Sequence, residues 1–297
     1  MDSLFSYLYI VFLPQVFDGL VVGMAIVLVA LGLTLIFGLL GVLNLAHGEL
    51  YIAGGYAAVA LVAAGLPFWL AVFAAPFLAV GIGFMIQQFG LGPLQGRPHY
   101  PILTLLLTFG ISLILREAAQ TLAGPDPLRL APPVTGVLVV GEIFLPKYRV
   151  VVFAISAALV AALWWGLHRT LLGAVLRAVA YDRQMTASLG IPTRLVFIGT
   201  FAMGSFLAGL AGVLLTPIYS ISPESGHGFI LLAFATIIIG GMGSVFGAVV
   251  AGLAVGQMFS LGSLWIPPVW AETLIFVAML LVLIVRPQGL FSQIGRG

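Results

Sequence analysis

The stretch that decides the fold is Gly19–Gly65, GLVVGMAIVLVALGLTLIFGLLGVLNLAHGELYIAGGYAAVALVAAG. Its only charged residue is Glu49, and the charge-free sequence then continues to Gly96. A run of ~20 apolar residues is what crosses a hydrocarbon core of ~30 Å. Such a run must be helical, because a helix satisfies its own backbone hydrogen bonds where no water is available. A membrane β-barrel would instead show alternating segments of about ten residues, and these runs are continuously apolar.

The rest of the chain agrees. From Leu195 to Val285 the only charges are Glu224 and Glu272. Over the 297 residues, 62% are hydrophobic and 7% charged, and the mean hydropathy is +1.23. A soluble domain carries about 25% charged residues. The expected fold is an all-α polytopic membrane protein forming a single transmembrane domain over 1–297. About eight spans are expected, at 16–38, 45–64, 67–89, 101–123, 149–167, 195–217, 229–257 and 268–286. Val137–Phe144, in the polar interlude between the fourth and fifth, is expected to form a short strand or helix outside the membrane. Met1–Phe5 lacks the basic start of a cleavable signal peptide, so the first helix is expected to be retained.

Two polar loops orient the chain. The segment 168–194 holds Arg169, Arg177, Arg183 and Arg194 against the single acid Asp182. By the positive-inside rule it is cytoplasmic, as is the loop with Arg97 and His99. Eight spans would then leave the C-terminus outside, against the charges of Arg286 and Arg296. One resolution is a break at Gly240-Gly241-Met242-Gly243, within a segment 229–262 that crosses twice or re-enters, which leaves the count open at eight or nine crossings. Three GxxxG pairs, Gly19/Gly23, Gly243/Gly247 and Gly252/Gly256, mark close helix approaches.

Few side chains carry chemistry. The only lysine, Lys147, is not part of a Gly-x-x-x-x-Gly-Lys-Ser/Thr phosphate loop, so no ATPase site of that class is expected in this chain. There are no cysteines, and four scattered histidines give no expected metal site. No catalytic residues are assigned. Asn44, His47 and Glu49 form a polar island, and an ionised Glu49 in lipid would cost ~2.5–3.5 kcal/mol. They either line a translocation path or form a solvated interfacial turn, with Asn44 as N-cap of the following helix. Arg116-Glu117 reads as a neutralised pair or as side chains reaching the interface. Ser222–Gly228, with Glu224 and His227, is an external loop that either gates the path or simply turns.

The basic loop is the most informative segment. Leu172, Val175, Leu176 and Val179 recur at helical spacing. Asp182 suits the N-cap of a second short helix ending near Leu189, Gly190 the position past its end, and Pro192 the stop. The loop therefore reads as two short cytoplasmic helices that dock a partner, lie on anionic lipid, or anchor the topology.

Four stretches, in order along the chain, resemble one family: Ile36–Tyr56 (IFGLLGVLNLAHGELYIAGGY), Leu172–Pro192 (LGAVLRAVAYDRQMTASLGIP), Phe206–Leu214 (FLAGLAGVL) and Ser222–Ala248, with ILLAFATIIIGGMGSVFGA at its end. The ending Arg286–Phe291 also fits. The resemblance is to the LivH-type permease subunits of branched-chain amino acid ABC transporters. It implies a multi-pass protein of the bacterial plasma (inner) membrane. It also implies two ATP-binding subunits, a second and paralogous permease subunit, and a periplasmic or extracellular substrate-binding protein, with no nucleic acid. ATP would be used by the partner subunits and no cofactor held by this chain. The loop 168–194 would contain the coupling helix, with Arg177, Asp182, Ala187, Leu189 and Gly190 at the ATPase. The path would run past Asn44, His47 and Glu49 and past Gly240, Gly241, Gly243 and Ser244. Related permeases handle branched-chain amino acids, urea, amides or aromatic acids. The competing expectation is an ion-gradient-driven secondary transporter, with Glu49 as its ion-coupling acid.

Overall fold

The computed structural model describes residues 11–141 and 143–291. The Met1–Phe5 segment and Arg296 lie outside the described residues. The helices in chain order are α1 (Leu13–Leu40), α2 (His47–Ala63), α3 (Phe68–Ala74), α4 (Pro76–Met85) and α5 (Tyr100–Ala123). An antiparallel hairpin of β1 (Val137–Val140) and β2 (Ile143–Pro146) follows, pairing Val137 with Pro146. Then come α6 (Lys147–Arg169), α7 (Leu171–Tyr181), α8 (Arg183–Ser188), α9 (Thr193–Leu215), α10 (Ser225–Gly240), α11 (Val245–Gly262) and α12 (Pro268–Val285). α3 and α4 form one span bent at Pro76, which continues through a wide turn at Ile86–Leu91 to Leu94.

α1 is the central mast. Every residue from Val21 to Ile36 is buried, as expected of a helix that is apolar all round. α11, α9, α10 and α6 surround it. Glycines make the tightest approaches. A Cβ on Gly23 would come within 3.1 Å of the Gly252 carbonyl oxygen, and one on Gly256 would run into the α1 backbone at Gly19 and Gly23. Two of the three expected GxxxG pairs thus interlock α1 with α11. The third, Gly243/Gly247, is not a helix face: Gly243 lies outside any helix with φ +84°, while Gly247 meets Gly240 across the α10–α11 turn. The α1–α9 and α2–α9 crossings also rest on glycine, through Gly32 against Gly204 and Gly54 against Gly209.

The contacts at the two ends of the bundle fix the topology. At one end, Arg149 at the start of α6 pairs with Asp18 at 2.6 Å, and Ser260 exchanges hydrogen bonds with Gln15. There too Leu128 bridges Ile221, and the Arg129 guanidinium donates to the Pro217 carbonyl. At the other end, Arg183 donates to Gln95, and Gly38 faces Gly243. The basic loop marks this second end as cytoplasmic. The segment expected as one span over 229–257 is two helices, α10 and α11, broken at Gly241–Ser244. Gly241 and Gly243 have φ of +101° and +84° there, conformations that cost an L residue about 1–2 kcal/mol. Seven segments are long and apolar enough to cross a membrane among the described residues, and the shorter α2 and α10 pack between them. The tail returns to the cytoplasmic end, where the Leu290 and Phe291 amides donate to the otherwise unpaired carbonyls of Ile239 and Gly240 at the end of α10.

Candidate functional site: a mid-bundle polar turn and a cytoplasmic helix pair

After α1 the chain does not stay at the membrane surface. Gly41, with φ +65°, reverses it, and residues 42–46 run back into the bundle. His47, the first residue of α2, places Nε2 3.2 Å from the Val29 carbonyl oxygen. Val29 is eleven residues from the end of α1, about 16 Å along a helix rising 1.5 Å per residue. α2 therefore begins at membrane depth. Asn44 and His47 are fully buried and Glu49 nearly so, so a solvated interfacial turn is not what forms. Nor is Asn44 the N-cap. Its Oδ1 accepts from the Ala46 amide at 3.1 Å, an Asx turn one step ahead of the helix, and Ala46 holds the cap position. The Leu45 amide donates to Thr108 Oγ1, and Ser112 Oγ donates to Glu49 at 3.0 Å, tying the turn to α5.

The other expected path residues lie elsewhere. Gly240, Gly241, Gly243 and Ser244 form the α10–α11 turn at the cytoplasmic end. Ser244 Oγ accepts from the Gly247 amide at 3.0 Å and so caps α11. Gly243 and Ser244 border a cavity of about 220 Å³ between α1, α6 and α7, whose wall includes Trp164, His168 and Arg177. The two groups named together from the sequence lie apart, one at mid-bundle and one at the cytoplasmic end.

The segment 168–194 forms the two short helices expected of it. Thr170 caps α7, and Asp182 Oδ1 accepts from the Met185 amide at 2.9 Å to cap α8. Gly190 ends α8 in the left-handed region with φ +84°. Val179 is buried against the bundle and Arg183 stacks its guanidinium 4.6 Å from the Phe197 ring centre. Arg177 is exposed and donates to the Leu167 carbonyl. Asp182, Ala187, Leu189 and Gly190 are exposed, as are Tyr181 and Met185.

At the external end, Glu224 is the residue ahead of α10 and His227 lies exposed in its first turn, so the expected loop is partly helix. Arg116 pairs with Glu224 at 3.4 Å across the gap between α5 and α10, not with its neighbour Glu117. That pair, Asp18–Arg149, and the Tyr148 hydroxyl bond to the Leu214 carbonyl escaped sequence reasoning. Each joins positions 66 to 131 residues apart, and no local pattern signals such a pairing.

A bundle of apolar helices around a polar re-entrant turn, with a helix pair projecting from one membrane face, defines a membrane permease. The family model for the branched-chain amino acid transport system permease component matches residues 15–283, and the chain belongs to that family. It is the multi-pass transmembrane subunit of an ATP-binding-cassette importer, a protein of the plasma (inner) membrane. It is similar to the high-affinity branched-chain amino acid transport system permease protein LivH of Salmonella typhimurium, with 30% identity over 96% of this chain and 97% of the relative. The BraD permease protein of Pseudomonas aeruginosa is 30% identical over 95% of this chain and 96% of its own. The LivM permease protein of Escherichia coli is 28% identical over 91% of this chain and 68% of its own. No solved structure matches it significantly.

Proposed function

We propose that this subunit passes branched-chain amino acids, or closely related small polar solutes, inward through the bundle. The driving force is ATP hydrolysis on two separate subunits that seat on α7 and α8. The observation that carries this reading is the exposed surface of that helix pair. Tyr181, Met185 and Leu189 are exposed on a capped helix pair outside the apolar spans, and such an apolar patch suits a docking surface. The chain has no phosphate loop of its own, so energy from ATP would arrive through such a surface. A ligand or partner shifts a conformational equilibrium only by contacting its two states differently, and α7–α8 is where that difference is delivered. Similarity to both LivH- and LivM-named proteins supports a pair of paralogous permeases, with a substrate-binding protein meeting the external end.

The test is mild-detergent purification of the tagged protein with identification of what accompanies it. A phosphate-loop ATPase and a second permease are expected, and both should be lost when 173–190 is altered. Recovery of the chain alone in several mild detergents, with uptake driven by an ion gradient, would replace this reading with secondary transport.

Glu49 gives a second check. Glu49→Gln keeps the shape of the side chain and removes its charge at the floor of the polar turn. Uptake by vesicles should fall about tenfold, the factor set by 1.4 kcal/mol. An unchanged rate and affinity would reduce Glu49 to a buried acid satisfied by Ser112.

A further inference from the structure

We infer that Glu49, Ser112, Arg116 and Glu224 form a zwitterion-binding groove in the outer half of the bundle. In it, the carboxylate of a passing amino acid replaces Glu224 on Arg116 while Glu49 takes the ammonium group. The inference rests on the amino-acid reading above and names the site that reading lacks.

Three helices bring the groups together. Ser112 and Arg116 are one turn apart on α5, so they lie on one face. Ser112 bonds Glu49 on α2, and Arg116 bonds Glu224 ahead of α10. α2 and α10 run antiparallel and in contact here: Gly48 packs on Gly226 and Ile230, and Tyr51 stacks on Phe229 with ring centres 4.3 Å apart. Glu49 and Glu224 therefore approach Arg116 from two neighbouring helices.

The charges set the ligand class. Once Glu224 swings away, the groove presents one carboxylate, Glu49, and one guanidinium, Arg116, a pair of opposite charges that matches a zwitterion and leaves no net charge between them. An α-amino acid brings an ammonium for Glu49 and a carboxylate able to compete for Arg116. Guanidinium with carboxylate makes the stronger, two-pronged contact when the geometry allows it. The existing pair does not reach that: Arg116 Nη1 and Glu224 Oε2 are 3.4 Å apart, and the Glu224 side chain is 67% exposed. Ion pairs this exposed contribute little, so exchange of Glu224 for a substrate carboxylate is close to balanced. Glu49 is nearly buried and held by Ser112, which makes it the fixed end of the groove and Glu224 the movable one. An amine or a keto acid of the same side chain satisfies only half of it.

The experiment uses the whole transporter in vesicles, with radiolabelled leucine at saturating concentration. Arg116→Gln is expected to lower uptake at least tenfold with the complex still assembled. The charge swap Arg116→Glu with Glu224→Arg restores an ion pair between α5 and α10 but presents the wrong sign at the wrong place. It should stay at least tenfold down, while Glu224→Gln alone, which removes the competitor for Arg116, should lower the half-saturating leucine concentration severalfold, and an unchanged value would overturn the exchange. Full recovery of uptake by the charge swap, or unchanged uptake by Arg116→Gln, would overturn the groove and leave the amino-acid reading standing. Absence of leucine uptake by the unaltered complex would overturn the amino-acid reading itself, and the groove with it.

Discussion

Leucine in place of Gly256 is expected to remove the folded protein from the membrane fraction. A side chain there meets the backbone of α1 at Gly19 and Gly23, not the movable end of another side chain. α1 cannot retreat, because the residues from Val21 to Ile36 are enclosed on all sides. Overpacking a core typically costs 1–3 kcal/mol, and the cost is at least on the order of 3 kcal/mol where neither backbone can yield. Close backbone approach is also what holds membrane helices together, since lipid supplies no hydrophobic drive between them. Gly110→Leu is the control: it sits on α5, where a Cβ meets nothing within 4 Å. The measurement is monodisperse yield after solubilisation together with thermal stability. The control should behave as the unaltered protein and Gly256→Leu should not. Equal yields would mean that α1 and α11 do not cross at these glycines.

The second large effect should appear with no loss of protein. Asp182→Leu removes the cap of α8, a change worth about 0.5–2 kcal/mol. Gly190→Val forces a β-branched residue into a left-handed conformation, costing about 1–2 kcal/mol. Both positions lie in the projecting helix pair, so the bundle should fold and insert as before. Uptake should nevertheless be abolished, because a disordered α8 cannot present Met185 and Leu189 to an ATPase. The check is vesicle uptake normalised to membrane-inserted protein, with ATPase co-purification alongside. Uptake at the unaltered rate by either variant would remove α7–α8 from the coupling role.

Features written in consecutive residues were legible without coordinates. The capped pair of helices in 168–194 is such a case: Asp182, Gly190 and Pro192 act on their own neighbours within a few bonds. The break at Gly241–Gly243 was marked by its glycines, although only the structure placed the tail amides of Leu290 and Phe291 on the exposed end of α10. Asn44 shows where local reading fails. It is a good N-cap residue, yet the helix starts at His47, because the turn is set by burial against Val29 and Thr108.

The amino-acid sequence by itself determined that this chain lives in lipid, that its spans are helices, and which face carries the basic loop. Composition and charge placement act through solvation, and solvation is summed residue by residue. Tertiary structure alone decided that α2 begins at membrane depth, that Gly256 seats on Gly19 and Gly23, and that Arg116 answers to Glu224. In a chain with so few charges and so many interchangeable apolar residues, helix pairing follows from shape and from which small residues let backbones meet. Those are properties of two surfaces together, and neither surface states them alone.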